Sequence, residues 1–202
     1  MPWFLSMNQI NNIAVYCGSS AGLDPYYMNA AFELGEYLGS HQIGLVYGGA
    51  SVGLMGAVAN GCLSKNGSVI GVLPKFLKKK EIEHSGLGQL ILVESMHERK
   101  LKMFDLSDAF VVLPGGLGTM EEFFEIITWS QLGLHHKPII IINWLGFYNP
   151  LLTLMQNMVE SGFLKKENAA LVQVLETSKD LLQTIQNYSP SKMEKWLSEE
   201  NV

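Results

Sequence analysis

Apolar runs of four to six residues alternate along the chain with longer amphipathic stretches. Ile13–Cys17, Ile43–Tyr47, Val69–Leu73, Leu90–Val93, Ala109–Leu113, Pro138–Asn143 and Leu171–Leu175 read as strands. Helix spacing fills the gaps: Pro25–Ser40, with Ala31, Leu34 and Leu38 on one face, then Val52–Leu63 and Met96–Leu106. A further helix runs from Pro114-Gly-Gly-Leu-Gly-Thr119 to a stop at Gly133, followed by helices around Pro150–Ser161 and Lys179–Asn187. The run PIIIIN, Pro138 to Asn143, has no polar alternation, which suits an inner strand covered on both faces. Strands alternating with helices predict a doubly wound, mostly parallel, Rossmann-like α/β sheet with helices on both faces. The expected division is an N-terminal extension at 1–10, one domain at 11–190 and a tail at 191–202.

In such a sheet, ligands bind outside the carboxyl ends of the strands. Three of the predicted strands end in small-residue loops: CGSS after Ile13–Cys17, GGAS after Ile43–Tyr47 and PGGLGT after Ala109–Leu113. One glycine loop is an ordinary tight turn, whereas three at equivalent strand ends suggest a shared site.

Composition narrows the function classes. The 202 residues are 48% hydrophobic and 16% charged, enough for one sizeable core and too apolar for disorder. A formal net charge of −5 argues against general nucleic-acid binding. No apolar run reaches the roughly 20 residues of a membrane span, and MPWFLSMNQI lacks the basic start of a secretory signal. Cys17 and Cys62 fall in predicted core elements without metal-ligand spacing, so they read as buried thiols of a reducing compartment, by default the cytoplasm. The adjacent His135 and His136 have no partnering Cys, Asp or Glu spacing and read as plain loop residues; no metal is expected. Trp129, Leu132 and Leu134 read as core or as a contact between copies.

The loop PGGLGTMEE, Pro114 to Glu122, sets an anion seat beside two acids. Glycines leading into a helix N-terminus present unpaired N–H groups and the positive end of the helix dipole, which suits a phosphate. A turn with no ligand accounts for the glycines equally well. Thr119 and Glu122 also match a capping box, T-x-x-E, and Glu121 would then be an ordinary first-turn acid. No G-x-x-x-x-G-K-[ST] occurs, and no G-x-G-x-x-G follows the first strand, so P-loop and dinucleotide folds are disfavoured. Upstream, Met96-His-Glu-Arg-Lys100 places two cations at a helix start, against the dipole; a solvated charged face is the plain reading.

Together, MHERK and PGGLGTMEE resemble the signature of the Lonely Guy (LOG) family of nucleoside-monophosphate phosphoribohydrolases, long labelled lysine decarboxylases. The resemblance runs from about Ile13 to beyond Asn149 and includes CGSS, YGGASVGLMG, GVLP and the ITWSQLG, HHKP and N-x-x-G-[FY]-Y segments. Only KKKEIEHSG, Lys78 to Gly86, departs from the plant members. The resemblance implies hydrolysis of the N-glycosidic bond of a purine nucleoside 5′-monophosphate, AMP or an N6-modified cytokinin type, to free base and ribose 5-phosphate. It implies Arg99 and Glu122 as the catalytic pair. Substrate contacts would come from Glu81, Lys100, Gly115, Gly116, Leu117, Gly118, Thr119, Met120, Glu121 and Thr128. It further implies a homodimer with active sites near the interface, and no metal or organic cofactor. The alternative on the same fold is a non-catalytic nucleotide-binding or carrier protein; pyridoxal-dependent decarboxylation would need a Schiff-base lysine, and none is placed for it.

Overall fold

The computed structural model describes residues 10–77 and 87–189. Each apolar run forms a strand: β1 (Asn12–Tyr16), β2 (Gly44–Tyr47), β3 (Val69–Pro74), β4 (Gln89–Val93), β5 (Ala109–Val112), β6 (Ile139–Ile142) and β7 (Val172–Leu175). They form one sheet in the order β4-β3-β2-β1-β5-β6-β7, and every pairing is parallel. Helices α1 (Pro25–Ser40), α2 (Gly53–Ser64), α3 (Met96–Asp105), α4 (Leu117–Gln131), α5 (Asn149–Glu160), α6 (Lys166–Ala169) and α7 (Leu181–Asn187) connect them. The short α6 and a 3-10 turn at Trp144–Gly146 are not foreshadowed by the apolar pattern. Both are too brief to establish a helical period.

The sheet is buried on both sides. Ile13 and Val15 of β1 and Ile140 and Ile142 of β6 pack with Leu34 and Leu38 of α1, Val58 of α2, and Leu181 and Ile185 of α7. The alternate residues Ala14, Tyr16, Ile139 and Ile141 pack on the other face with Met103 of α3, Phe123, Ile126 and Ile127 of α4, and Met155 of α5. All four isoleucines of β6 are fully buried, so the continuous run is what a strand covered on both faces requires. Close helix approach on the first face depends on missing side chains. A Cβ on Gly35 would collide with the Val58 carbonyl, and one on Gly61 with the Phe32 carbonyl.

The order of strands reverses at β1. From β1 the chain builds outward through β2, β3 and β4, then returns to place β5 on the opposite side. Loops leaving β1 and β5 therefore diverge and open a crevice between them, the usual ligand position in such sheets. Gly18 donates its N–H to the Pro114 carbonyl at 3.0 Å, stitching the two loops together at the floor of that crevice.

Candidate active site

A cleft of about 270 Å³ lies over the ends of β1, β2 and β5. It is lined by Gly18 and Ser19 from the first loop, Gly48 from the second, and Gly116, Leu117, Gly118 and Thr119 from the third. Arg99, Glu121 and Glu122 complete its polar wall, with Met55, Met96 and Met103 as its apolar part. Sequence reasoning had marked the three loops but not Ser19, Gly48 or the methionines as site residues. The available signal was the coincidence of small residues at three strand ends.

The capping box at Thr119 does not form. Helix α4 starts three residues earlier than that box requires, with Gly116 as its N-cap and no side-chain cap. Thr119 is the third residue of the helix and is buried at 4% exposure. Leu117, Gly118 and Thr119 are therefore the first-turn residues, whose N–H groups have no intrahelical acceptor. Glu121 and Glu122 lie in the second turn, so neither is a first-turn acid. The glycines divide the labour. A Cβ on Gly115 would collide with Thr119 Oγ1, so Gly115 serves packing, whereas a Cβ on Gly116 or Gly118 would meet nothing. Those two leave open space above the helix start.

A reciprocal cap related to it, with the back-bond one residue before the N-cap, forms instead on α3. Ser95 is its N-cap and accepts from the Glu98 N–H at 3.1 Å, while Glu98 reaches back to accept from the Glu94 N–H at 2.7 Å. This fixes the first turn, and Arg99 and Lys100 follow in the second. The plain expectation of a solvated charged face fails for both. Arg99 is 7% exposed and Lys100 6%, because with Met103 they form the core-facing stripe of α3. Glu122 likewise belongs to the inward stripe of α4, with Thr119, Phe123, Ile126 and Ser130.

These stripes bring the charges together. Arg99 Nη2 stands 3.8 Å from Glu122 Oε1. Among the described residues, Arg99 Nε is buried without a hydrogen-bond partner, and Nη1 reaches Met96 Sδ at 3.9 Å. A Cβ on Gly48 would collide with Arg99 Nη2, so the glycine makes the seat for the guanidinium. Burial pushes the Glu122 carboxyl up to about 7. Arg99 and Lys100 oppose that rise, and Glu121 and Glu125 add to it. Lys100 hydrogen-bonds Glu121 and Glu125, the latter at 2.9 Å. Burial alone would lower the Lys100 ammonium, but its two carboxylates outweigh that and raise it above the ordinary lysine value.

The remaining sequence candidates are spread wider. Gly115 lines a second, adjoining recess of about 290 Å³ with Tyr27, Leu54 and Phe147. Met120 packs against the core, and Thr128 lies on the exposed side of α4, donating its hydroxyl to the Phe124 carbonyl at 2.6 Å. Glu81 lies outside the described residues, as do most of the N-terminal extension and the C-terminal tail. His135 is not a plain loop residue. It is buried at 6% exposure, with Nε2 2.8 Å from the Ile126 carbonyl and Nδ1 accepting from the Lys137 N–H, so both ring nitrogens are occupied. Among the described residues, no group of three His, Cys, Asp or Glu could hold a metal ion, and no helix is long and apolar enough to cross a membrane.

The parallel sheet, the crevice at its switch point and the uncapped helix facing it define a doubly wound α/β protein with a ligand cleft at the carboxyl ends of its strands. A family model described as "Possible lysine decarboxylase" matches residues 55–185. A probable cytokinin riboside 5′-monophosphate phosphoribohydrolase of Oryza sativa subsp. japonica is 43% identical, the match covering 96% of this chain and 81% of that one. A cytokinin riboside 5′-monophosphate phosphoribohydrolase of Arabidopsis thaliana is also 43% identical, over 91% and 86%. The chain belongs to this family, the Lonely Guy phosphoribohydrolases. Among solved structures, the molybdenum cofactor carrier protein of Chlamydomonas reinhardtii superposes with a TM-score of 0.67 at 20% identity, covering 88% of this chain and 96% of the other. That likeness extends to the fold alone.

Proposed function

We propose that this protein hydrolyses the N-glycosidic bond of purine nucleoside 5′-monophosphates, giving the free base and ribose 5-phosphate. The carrying observation is the buried Arg99–Glu122 pair facing an amide-lined glycine cleft, in a chain 43% identical to relatives named for this reaction. The first-turn amides of α4, with the open space over Gly116 and Gly118 and the hydroxyls of Ser19 and Thr119, suit the 5′-phosphate. A phosphate held there fixes the ribose relative to Glu122.

As the bond to the base stretches, positive charge grows on the sugar ring. Glu122 is repelled by the phosphate but attracted to that cation, which explains an acid beside an anion seat. It takes a proton from the water that attacks the anomeric carbon, the bonding pair leaves with the base, and the base takes up a proton. Arg99, whose Nε has no partner among the described residues, orients the carboxylate or binds substrate oxygens.

Two other readings are weaker. Among the described residues no lysine lines the cleft, and Lys100 is committed to two carboxylates, which disfavours pyridoxal-dependent decarboxylation. The carrier reading draws only on fold likeness near 20% identity. The exposed apolar residues Leu101 on α3 and Phe124 and Leu132 on α4 support a homodimer; the Thr128 contact with substrate would then be made across its interface. Free, buried Cys17 and Cys62 suit the cytoplasm. The decisive experiment is product analysis on AMP and N6-prenylated AMP beside the corresponding nucleosides. Release of base from the monophosphates alone is expected; equal rates on the nucleosides would remove the phosphate seat from the account.

A further inference from the structure

Lys100 is as deeply buried as Arg99, yet neither Lys100 nor Glu125 lines the cleft. Three cross-helix ion pairs run side by side between α3 and α4. Arg99 faces Glu122 toward the cleft at 3.8 Å, too long for a hydrogen bond, so that pair cannot by itself hold the helices in register. Behind it, Lys100 hydrogen-bonds both Glu121 and Glu125. The Glu121 side chain is 54% exposed and that of Glu125 only 22%, so Glu125 is the partner less screened by water. The residues on each helix are neighbours in sequence: a shift of Lys100 is a shift of Arg99, and a shift of Glu121 is a shift of Glu122.

Resting on the hydrolytic reading of the cleft, we propose that Glu125 is a positioning residue. It holds the Lys100 ammonium, the doubly held ammonium pins α3 to α4, and that pin fixes Arg99 and Glu122 at their separation across the cleft. Glu125 touches no substrate in this arrangement and positions the pair only through Lys100.

The cluster also has an electrostatic signature. Glu122 is faced by Arg99 and Lys100 from α3, by Glu121 and Glu125 on its own helix, and by Tyr16 at the end of β1 and Cys17 just after it, both kept neutral by burial. Negative Glu125 favours the protonated form of Glu122, and positive Lys100 the ionised form. Removing either charge therefore moves the Glu122 titration in opposite directions, which a role in packing alone does not.

The test compares wild type, Glu125→Gln, Lys100→Met and the double variant in two ways. Steady-state hydrolysis of N6-prenylated AMP is followed across pH, and the Glu122 carboxyl is titrated by carbon NMR without substrate. Expected for Glu125→Gln is a fall in kcat of about tenfold, the scale of a small misplacement of reacting groups, with KM changed by no more than about threefold. The Glu122 midpoint moves down in Glu125→Gln and up in Lys100→Met, and the double variant is no slower than Lys100→Met alone. An unchanged kcat, a loss carried by KM, additive losses or midpoints moving the same way would each overturn the proposal. Glu125→Gln leaves Lys100 its Glu121 partner, so it carries the test if Lys100→Met does not fold. Should wild type release no base, the hydrolytic reading fails, while the opposed midpoints still decide whether the pin exists.

Discussion

Arg99 Nη2 and Glu122 Oε1 lie 3.8 Å apart, with only 9% and 10% of their side chains exposed. The two feel each other's charge but share no hydrogen bond, so both retain donors and acceptors for a ligand. Burial outweighs the arginine, and the carboxyl sits at about 7 rather than 4.5. A carboxylate tuned to neutrality can take a proton and release it again under ordinary conditions.

The first prediction concerns rate. If Glu122 is the base, kcat/KM should rise with pH through about 7 as the carboxyl ionises in the free enzyme. Glu122→Gln keeps the shape and removes the base. It should lose roughly 10²–10⁴-fold in kcat and flatten that limb. A pH–rate series on N6-prenylated AMP checks both, and a glutamine variant of near-normal rate would end the assignment.

Stability should move the opposite way to activity. The folded carboxyl is raised above its unfolded value, so between about 4.5 and 7 the native state binds more protons than the unfolded chain. Stability attributable to this group is then full below about 4.5 and is lost as pH climbs to about 7. The shift corresponds to roughly 3 kcal/mol. Urea titrations should show Glu122→Gln matching wild type near pH 4.5 and exceeding it by about that amount at pH 8. Parallel stability curves would mean that the carboxylate is not held at a cost.

Gly48 offers a contrast within the glycines. A methyl there meets the movable end of Arg99, so Gly48→Ala should fold but displace the guanidinium, lowering kcat by about ten- to a hundredfold. Gly61→Ala instead meets the Phe32 carbonyl and must part α1 from α2, costing about 1–3 kcal/mol without touching the cleft. Melting curves beside kcat values separate the two.

Gly118→Ala should strengthen the fold and weaken binding. The position is helical and a Cβ meets nothing, so the unfolded chain loses more freedom than the native state, a gain of about 0.4–1 kcal/mol. The same methyl enters the space assigned to the phosphate and should raise KM for the monophosphate. A higher melting temperature with unchanged KM would move the phosphate elsewhere.

Much of this was legible without coordinates. The strand runs fall within a residue or two of β1 to β7, and Pro25–Ser40 coincides with α1. Periodicity also held a clue that motif reading passed over: Glu122 shares an inward stripe with Phe123 and Ile126, and Arg99 one with Met103. Glu125 was missed because its partner lies 25 residues away, on another helix.

By itself, the sequence determined the seven strands and the longer helices, that the sheet is mostly parallel, and that small-residue loops gather at one end of it. Those follow from side-chain period and backbone freedom, properties of neighbours along the chain. Tertiary structure decided that α4 begins at Leu117 rather than after Thr119, that two cations sit out of water, and that Glu122 meets Arg99 instead of capping its own helix. The same glutamate, three residues after a threonine, can serve a cap or a buried ion pair. Only the position of a second helix, fixed by core packing on the sheet, selects between them.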